Sequence, residues 1–219
     1  MSYKNQPRDS SGRWTKGAGG VLTAGLLAGV VAFASSGDVV SSVGAGLDAA
    51  TDSGGATEAR TARARQSAKD GDEAEAWRRL GLKELKKDLR HRLRCAVQSF
   101  GQVQQFFVTH PCDDLEQQLF AVSDAGGNVI VGTVMWVRMP SGASADQLKR
   151  LEDTYGSGDV TPFGTEVLGL GGIKFTGHHY HSRSDGSLVV IAETEPGRGR
   201  PNDALLEEVA EVVDVLPPL

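Results

Sequence analysis

The sequence has little cysteine and lacks several motifs that mark catalytic and cofactor sites. Only two of its 219 residues are cysteines, Cys95 and Cys112. They have neither a CxxC pair nor a set of nearby histidines, which disfavours a zinc site. There is no nucleophile elbow, and the glycine-rich stretch VLGLGGIKF lacks the lysine and Ser/Thr of a phosphate-binding loop. These absences predict no cofactor and assign no catalytic residue.

Acidic residues outnumber basic ones, and the positive charge is unevenly distributed. The whole chain has a net charge of −5. Residues 95–219 contain seven Lys/Arg and seventeen Asp/Glu, whereas residues 78–94 contain eight Lys/Arg and two Asp/Glu. Because nucleic acids require a basic surface, this acidic C-terminal region predicts no nucleic-acid partner.

One long stretch near the N-terminus has no charge at all. The 21 residues between Lys16 and Asp38 read GAGGVLTAGLLAGVVAFASSG. As a helix they would measure about 31 Å, the hydrocarbon thickness of a bilayer. Cations precede the stretch, and positive flanks stay in the cytoplasm. We therefore predict a cytoplasmic basic tail at 1–16, a transmembrane helix or signal peptide at 17–37, and export of the remainder.

Two outcomes of export remain open. The small-x-small sequence Ala32-Phe33-Ala34 is typical of a signal peptide cleaved after Ala34, which would give a secreted protein. The charge-free length favours a single-pass anchor in the cell membrane, with the C-terminal domain outside. A third interpretation is a buried or disordered Ala/Gly segment of a cytosolic protein. Gly25 and Gly29 form a GxxxG pattern, which indicates membrane-helix packing and a possible homodimer.

The region between the charge-free stretch and the first cysteine has two parts. Residues 38–73 have almost no aromatic or large aliphatic side chains, so we predict a flexible, disordered linker. Residues 74–94 have leucines at the spacing of an amphipathic helix. The predicted basic face of that helix consists of Arg78, Arg79, Lys83, Lys86, Lys87 and Arg90. A solvated face is the simplest interpretation, and contact with anionic lipid headgroups or with an acidic protein surface are the alternatives.

The two cysteines are predicted to form a disulfide. A continuous helix would hold them about 25 Å apart, whereas a disulfide requires Cα atoms within about 7 Å. The sequence breaks such a helix, because a capping box from Ser99 to Gln102 starts a new helix and Pro111 ends it. Outside the cell, an oxidised Cys95–Cys112 pair is the expected state.

The stretch CAVQSFGQVQQFFVTHPC, with Leu115 and Leu119 behind it, resembles a block found in uncharacterised exported or membrane-anchored actinobacterial proteins. The Ala/Gly-rich composition and the GRWTKG leader are similar to that group as well. The resemblance extends loosely over residues 75–219. It implies a location in the cell envelope and a small extracytoplasmic domain, and it implies no known activity.

Residues 95–219 are predicted to form an α+β domain. Four segments are strand-like, namely Leu119–Ser123, Val129–Met139, Ile173–Ser182 and Leu188–Thr194. Helices are expected from Phe100 to Thr109, from a second capping box at Ser144 to Tyr155, and from Asp203 to Leu216. The order α-β-β-α-β-β-α favours a two-layer sandwich, with a four-stranded, mostly antiparallel sheet and the helices on one face. The apolar segment 188–192 is expected near the centre of that sheet.

The sequence GHHYH is the best candidate for a metal or catalytic site. In a strand, His179 and His181 share one face and His178 lies on the other. If the following Asp-Gly dipeptide is the centre of a hairpin turn, His178 faces Glu193, a pair able to hold a metal or move a proton. No third ligand is evident, so a solvated, salt-bridged strand face is the simpler interpretation.

These observations predict a non-enzymatic, membrane-anchored extracytoplasmic domain. Its partners would be the membrane and an unknown envelope protein or small ligand. The rival hypothesis is an extracytoplasmic metal-dependent enzyme that uses the region of His178, His179, His181 and Glu193.

Overall fold

The computed structural model describes residues 49–219, with side chains from Gly55 onward. These residues form a mixed α+β fold with five α-helices and one five-stranded sheet. The helices are α1 (Ala49–Lys69), α2 (Glu73–Leu80), α3 (Gly101–Thr109), α4 (Gly142–Glu152) and α5 (Asp203–Val213). The strands are β1 (Lys83–Arg90), β2 (Asp114–Ser123), β3 (Val129–Arg138), β4 (His179–Asp185) and β5 (Leu188–Arg198). A short 3-10 turn lies at Thr165–Leu168.

The strands are ordered β1-β2-β3-β5-β4, and every neighbouring pair is antiparallel. The predicted α+β class is therefore confirmed, but the predicted sheet lacks one strand, β1. The apolar segment 188–192 lies in β5, an interior strand next to the central β3. The two edges of the sheet are β1 and β4.

Both faces of the sheet are covered, which corrects the expectation that all helices pack on one face. Helices α1, α2 and α5 cover one face, which we call the helix face. Helices α3 and α4 and the irregular segment 156–178 cover the other, which we call the loop face. The physical reason lies in the strands, because β2 and β3 are buried on both faces and such strands need cover on both sides.

The segment predicted as one basic amphipathic helix is a helix followed by a strand. Gly81 adopts a left-handed conformation, with φ of 72°, and ends α2. The backbone N–H of Leu82 then bonds the carbonyl of Trp77, and the chain continues as β1. The leucine spacing is therefore not the stripe of one helix, since Leu85 and Leu89 are 46% and 38% exposed on an edge strand. Charged side chains are common on such edges, because they discourage pairing with other chains.

Part of the predicted flexible linker is the helix α1, which is a further correction. Ala64 and Ala68 are fully buried in the core of the helix face. Arg60 and Arg65 pair with Glu208 and Glu211 of α5, each at 2.6 Å. A flexible linker was predicted because residues 38–73 have almost no large apolar side chains, but small alanines are enough to pack this helix. Alanine has the strongest helix propensity and allows two helices to approach closely.

Smaller corrections concern the helix caps and one strand. Ser99 does not cap α3, because its hydroxyl donates to the carbonyl of Cys95 at 2.7 Å. The capping box of α4 joins Ser141 to Ser144, three residues before the predicted one, and the helix ends at Glu152. Strand β4 begins at His179, so residues 173–178 belong to the irregular segment. Helix α5 has the predicted start but ends at Val213.

Within residues 49–219, none of the helices has the length and hydrophobicity of a membrane span. The predicted tail at 1–16, the span or signal peptide at 17–37 and the Gly25/Gly29 packing motif lie outside the described residues.

Candidate functional site

The two cysteines lie at disulfide distance, and the structure joins them. Their Cα atoms are 6.3 Å apart, and Cys95 is buried against the core under α4. The bond closes the segment 95–112 into a loop that carries α3. Phe100 immediately precedes α3 and is 55% exposed, which is unusual for a large aromatic side chain.

The segment 156–178 pairs with this disulfide-closed segment through its backbone. Ser99 and Val160 form an isolated antiparallel bridge. The N–H of Phe100 donates to the carbonyl of Asp159 at 3.1 Å, and the N–H of Thr161 donates to Gln98 at 2.5 Å. The position of the irregular segment therefore depends on the conformation that the disulfide constrains.

Two glycines allow this close approach. Gly101 and Gly158 both have positive φ, and a Cβ on Gly158 would collide with the carbonyl oxygen of Phe100. A side chain at either position would force the two segments apart.

Polar side chains of the sheet hold the other parts of segment 156–178. Buried Gln117 donates to the carbonyl of Thr161 and accepts from the N–H of Phe163, both at 3.1 Å. Glu193 accepts from the N–H of Gly177 at 3.1 Å. Glu195 accepts from the N–H and the hydroxyl of Thr176. The loop face thus uses side chains to satisfy backbone groups that helices and strands satisfy internally.

Between these anchors lies an aromatic groove, which we call the phenylalanine groove. Its cavity of about 330 Å³ is lined by Phe100, Phe163 and Phe175, with Glu193 also in contact. An adjoining cavity of about 270 Å³ shares Phe100 and Phe175 and reaches Glu152. The first volume is at the lower end of the range for small-molecule sites, and the second is just below it.

Carboxylates outnumber cations around the phenylalanine groove. Glu193 and Glu152 are 1% and 2% exposed, and half-buried Asp159 lines both cavities. The cation among the lining residues is Lys174. The guanidinium of Arg90 lies 5.1 Å from the ring centroid of Phe163, so that ring already carries a cation on one side. Aromatic walls and buried carboxylates suit a ligand with an apolar body and a cationic donor group.

The histidine cluster does not assemble as predicted. The hairpin turn is centred on Gly186 and Ser187, so Asp185 pairs with Leu188 and Glu193 pairs with Tyr180. His178 precedes β4, and Glu193 lies on the loop face, opposite His179 and His181. The predicted His178–Glu193 pair is therefore wrong by two positions of register, because the turn centre falls one residue later than assumed. Within residues 49–219, no group of three or more His, Cys, Asp or Glu side chains could hold a metal ion.

His179 and His181 instead contact acidic residues of the helix face. His181 Nδ1 lies 3.9 Å from Oδ2 of Asp214, and His179 Nε2 lies 3.7 Å from Oδ1 of Asp203. Burial lowers the pKa of His179, and the neighbouring His178 lowers it further. Burial raises the pKa of Asp214 to about 6, although Arg65 and Arg183 oppose the rise. Both histidines are buried, so this is not the solvated strand face of the simpler interpretation, and the lowered pKa of His179 opposes an ion pair there.

The predicted basic face is divided by the fold. Arg78 and Arg79 both pair with Glu75, at 2.6 and 2.8 Å. Lys87 pairs with Glu73 at 2.9 Å, and Arg90 pairs with Asp88 at 3.2 Å. A further cavity of about 630 Å³ beside α1 is lined by Arg65, Lys69 and Arg183, and the two arginines pair with Glu211, Asp214 and Asp185. Neither arrangement presents a continuous cationic surface.

Sequence reasoning missed most of the phenylalanine groove. Phe100 stood out within the block between the cysteines, but Phe163, Phe175 and Gln117 did not. The available signal was the pair of phenylalanines flanking the stretch GTEVLGLGGIK. Compared with protein-family models, with curated proteins and with solved structures, the chain has no significant match.

Proposed function

We propose that this chain is a non-enzymatic binding protein of the cell envelope, with a membrane anchor and an extracytoplasmic domain that takes a small ligand in the phenylalanine groove. The observation that carries the proposal is the groove itself, in which three phenylalanine rings stand beside buried carboxylates. The ligand would have an apolar body against the rings and a positively charged head near Glu193. The resemblance to exported proteins and the charge-free N-terminal stretch support the location.

The disulfide links the location to the site. Phe100 belongs to the segment closed by Cys95 and Cys112, and that segment pairs with the opposite wall at Asp159. A groove built in this way needs an oxidising compartment, because cytosolic thiols are kept reduced. The rival metal-dependent enzyme is less well supported, since Glu193 and the strand histidines lie on opposite faces.

Calorimetric titration tests the groove directly. The full chain, reconstituted in nanodiscs, is titrated with phenethylamine, 2-phenylethanol and 3-phenylpropionate, which share a phenyl ring and differ in charge. We expect phenethylamine to bind most tightly, and Phe100→Ala to weaken it about tenfold, which is about 1.4 kcal/mol.

Val108→Ala is the matched control, because Val108 on α3 is 71% exposed and lies outside both cavities. Equal binding by the two variants, or no binding of any probe, would reject the groove as the site.

Protease accessibility on intact cells tests the location separately. We expect added protease to cleave the C-terminal domain, with Cys95 and Cys112 refractory to thiol alkylation until reduced. Protection of the domain in intact cells, with both thiols free, would contradict the envelope location even if the groove binds its probes.

A further inference from the structure

We propose that a second cavity on the loop face binds a small anionic amphiphile, meaning a short acyl or alkyl chain with a carboxylate or phosphate head. This cavity of about 340 Å³ lies between β1 and the 3-10 turn, apart from the phenylalanine groove. Its lining residues are Leu85, Lys86, Ala121, Val129, Leu168, Gly169, Leu170 and Arg198. We call it the β1 cavity.

The floor and walls of the β1 cavity are apolar. Ala121 and Val129 come from the sheet and are almost completely buried, and Leu168 of the 3-10 turn is 2% exposed. Gly169 ends that turn in a left-handed conformation, and Leu170 continues beside the cavity. The volume of this cavity lies within the range of small-molecule sites, and its lining suits an apolar ligand.

Leu85 is aimed at the β1 cavity by an irregularity in the edge strand. The pairing of β1 with β2 shifts register between Glu84 and Lys86, which leaves Leu85 without a partner in the ladder. Such bulges re-aim side chains. Leu85 remains 46% exposed although it lines an apolar cavity, so the molecule leaves part of this surface uncovered. A bound alkyl chain would remove that surface from water.

The charged residues of the β1 cavity have one sign. Lys86 and Arg198 line it, and no carboxylate does. Among the described residues, neither side chain has an ion-pair partner, in contrast to Lys87, which bonds Glu73.

The two cations approach the cavity from opposite sides. Lys86 lies opposite Ala121 in the sheet, and Arg198 lies opposite Val129. Their strands are three spacings apart, about 14 Å, which two long side chains can bridge. Unpaired cations at an apolar cavity are complementary to an anionic head on an apolar body.

The test is an NMR titration of the full chain, in phosphatidylcholine nanodiscs, with octanoate carrying ¹³C in its carboxylate. Empty nanodiscs supply the baseline for partition of the probe into lipid. We expect saturable binding by octanoate and at least tenfold weaker binding by 1-octanol and octylammonium. The double variant Lys86→Gln/Arg198→Gln should lower octanoate affinity to that of 1-octanol, and Leu85→Ser should weaken both.

The matched control is Lys83→Gln/Arg200→Gln, which removes the same two charges from positions outside the cavity. If both double variants weaken octanoate binding equally, the effect depends on net charge alone and the proposal is wrong. Equal binding of octanoate and 1-octanol would also overturn it.

A final titration, with a different lipid composition, distinguishes a free amphiphile from a membrane lipid as the ligand. Octanoate binding should be unchanged when phosphatidylglycerol replaces part of the phosphatidylcholine. If phosphatidylglycerol displaces octanoate from the parent protein, the cavity binds lipid headgroups of the membrane, and the proposal of a free amphiphile fails.

Discussion

The two faces of the sheet are covered by different kinds of structure. On the helix face, α1, α2 and α5 bury a continuous apolar cluster that includes Phe120 and Trp136. On the loop face, α3 and α4 cover only part of the strands, and the irregular segment 156–178 covers the rest. Helices satisfy their own backbone groups, whereas an irregular segment needs polar partners from the sheet, here Gln117, Glu193 and Glu195.

This difference suggests that the helix face supplies stability and the loop face supplies the binding sites. Both proposed cavities lie on the loop face, where the irregular cover leaves space between side chains. Binding residues commonly lie on loops held by a rigid scaffold, and the helix face supplies the scaffold here. Substitutions on the helix face should therefore change the free energy of unfolding, and exposed substitutions on the loop face should change ligand affinity.

The largest expected effect is that of Trp136→Ala. Trp136 is 2% exposed on the helix face, and its indole N–H donates to the carbonyl of Leu216 at 3.0 Å. Loss of this side chain should lower the free energy of unfolding by about 3–5 kcal/mol. Phe100→Ala, on the exposed rim of the loop face, should lower it by less than about 1 kcal/mol. Urea unfolding of both variants measures the contrast, and similar losses would remove the distinction between the faces.

Removal of the disulfide should affect both stability and binding. Cys95→Ala/Cys112→Ala opens a loop of 17 residues, for which the expected loss is about 3 kcal/mol. Because this segment carries Phe100, phenethylamine binding should be lost as well, whereas octanoate binding should persist. Urea unfolding of this variant measures the loss of stability. Titration of the folded variant with phenethylamine and octanoate measures the change in binding. Unchanged phenethylamine affinity would show that the groove does not depend on the disulfide.

Local signals predicted part of this architecture correctly. The hairpin between β2 and β3 follows from its Asp-Ala-Gly-Gly-Asn turn, and the α3 helix follows from the proline that ends it. The sulfur pairing followed from spacing and the helix break. These features depend on neighbours in sequence, which is why the sequence reveals them.

Features set by distant contacts were not predictable in this way. Strand β1 has a helical leucine spacing, but pairing with β2 and the left-handed Gly81 decide its structure. Helix α1 is stabilised by α5, more than a hundred residues away, through pairs such as Arg60–Glu208. The phenylalanine groove likewise joins residue 100 to residues 163 and 175 of the distant segment 156–178. Because the β4–β5 register differs by two positions from the predicted one, the residues of the predicted histidine site do not come together.

The third effect concerns the pH dependence of the helix face. The pKa of Asp214 is raised to about 6 by burial, from an ordinary value of 3.8. The folded state therefore binds a proton more tightly than the unfolded state, and stability is lost as the pH rises from about 4 to about 6. The difference between these two pKa values corresponds to roughly 3 kcal/mol of stability. The charged and titratable groups around Asp214 are Arg65, Arg183, His181 and Glu211.

Asp214→Asn should remove this slope, and Asp185→Asn, at an 82% exposed side chain, should not. The opposite dependence comes from His179, whose lowered pKa makes the fold lose stability as the pH falls below 6.5. Comparing each variant with the parent cancels the contribution of His179, which is the same in both. Urea unfolding at pH 4, 5, 6 and 7 gives the result, and identical slopes for parent and Asp214→Asn would contradict the assignment.

The smallest expected effect is a change in stability that has opposite signs at two buried threonines. Thr194 lies on the helix face, and its hydroxyl donates to the carbonyl of Leu206 at 2.9 Å. Thr133 lies on the loop face beside Glu193 in register, fully buried, and its hydroxyl has no hydrogen-bond partner among the described residues.

Valine has nearly the shape of threonine without the hydroxyl, so it isolates that group. Thr194→Val should destabilise the fold by about 1 kcal/mol, because it removes the hydrogen bond from the hydroxyl to the Leu206 carbonyl. Thr133→Val should stabilise it by about 1 kcal/mol, because it removes a polar group that is buried without compensation. Urea midpoints that move in opposite directions would confirm that the buried polar groups beside Glu193 lower the stability of the loop face. A loss of stability in Thr133→Val would instead indicate a buried water bonded to that hydroxyl, and the polar cost of the loop face would then be smaller than the contacts imply.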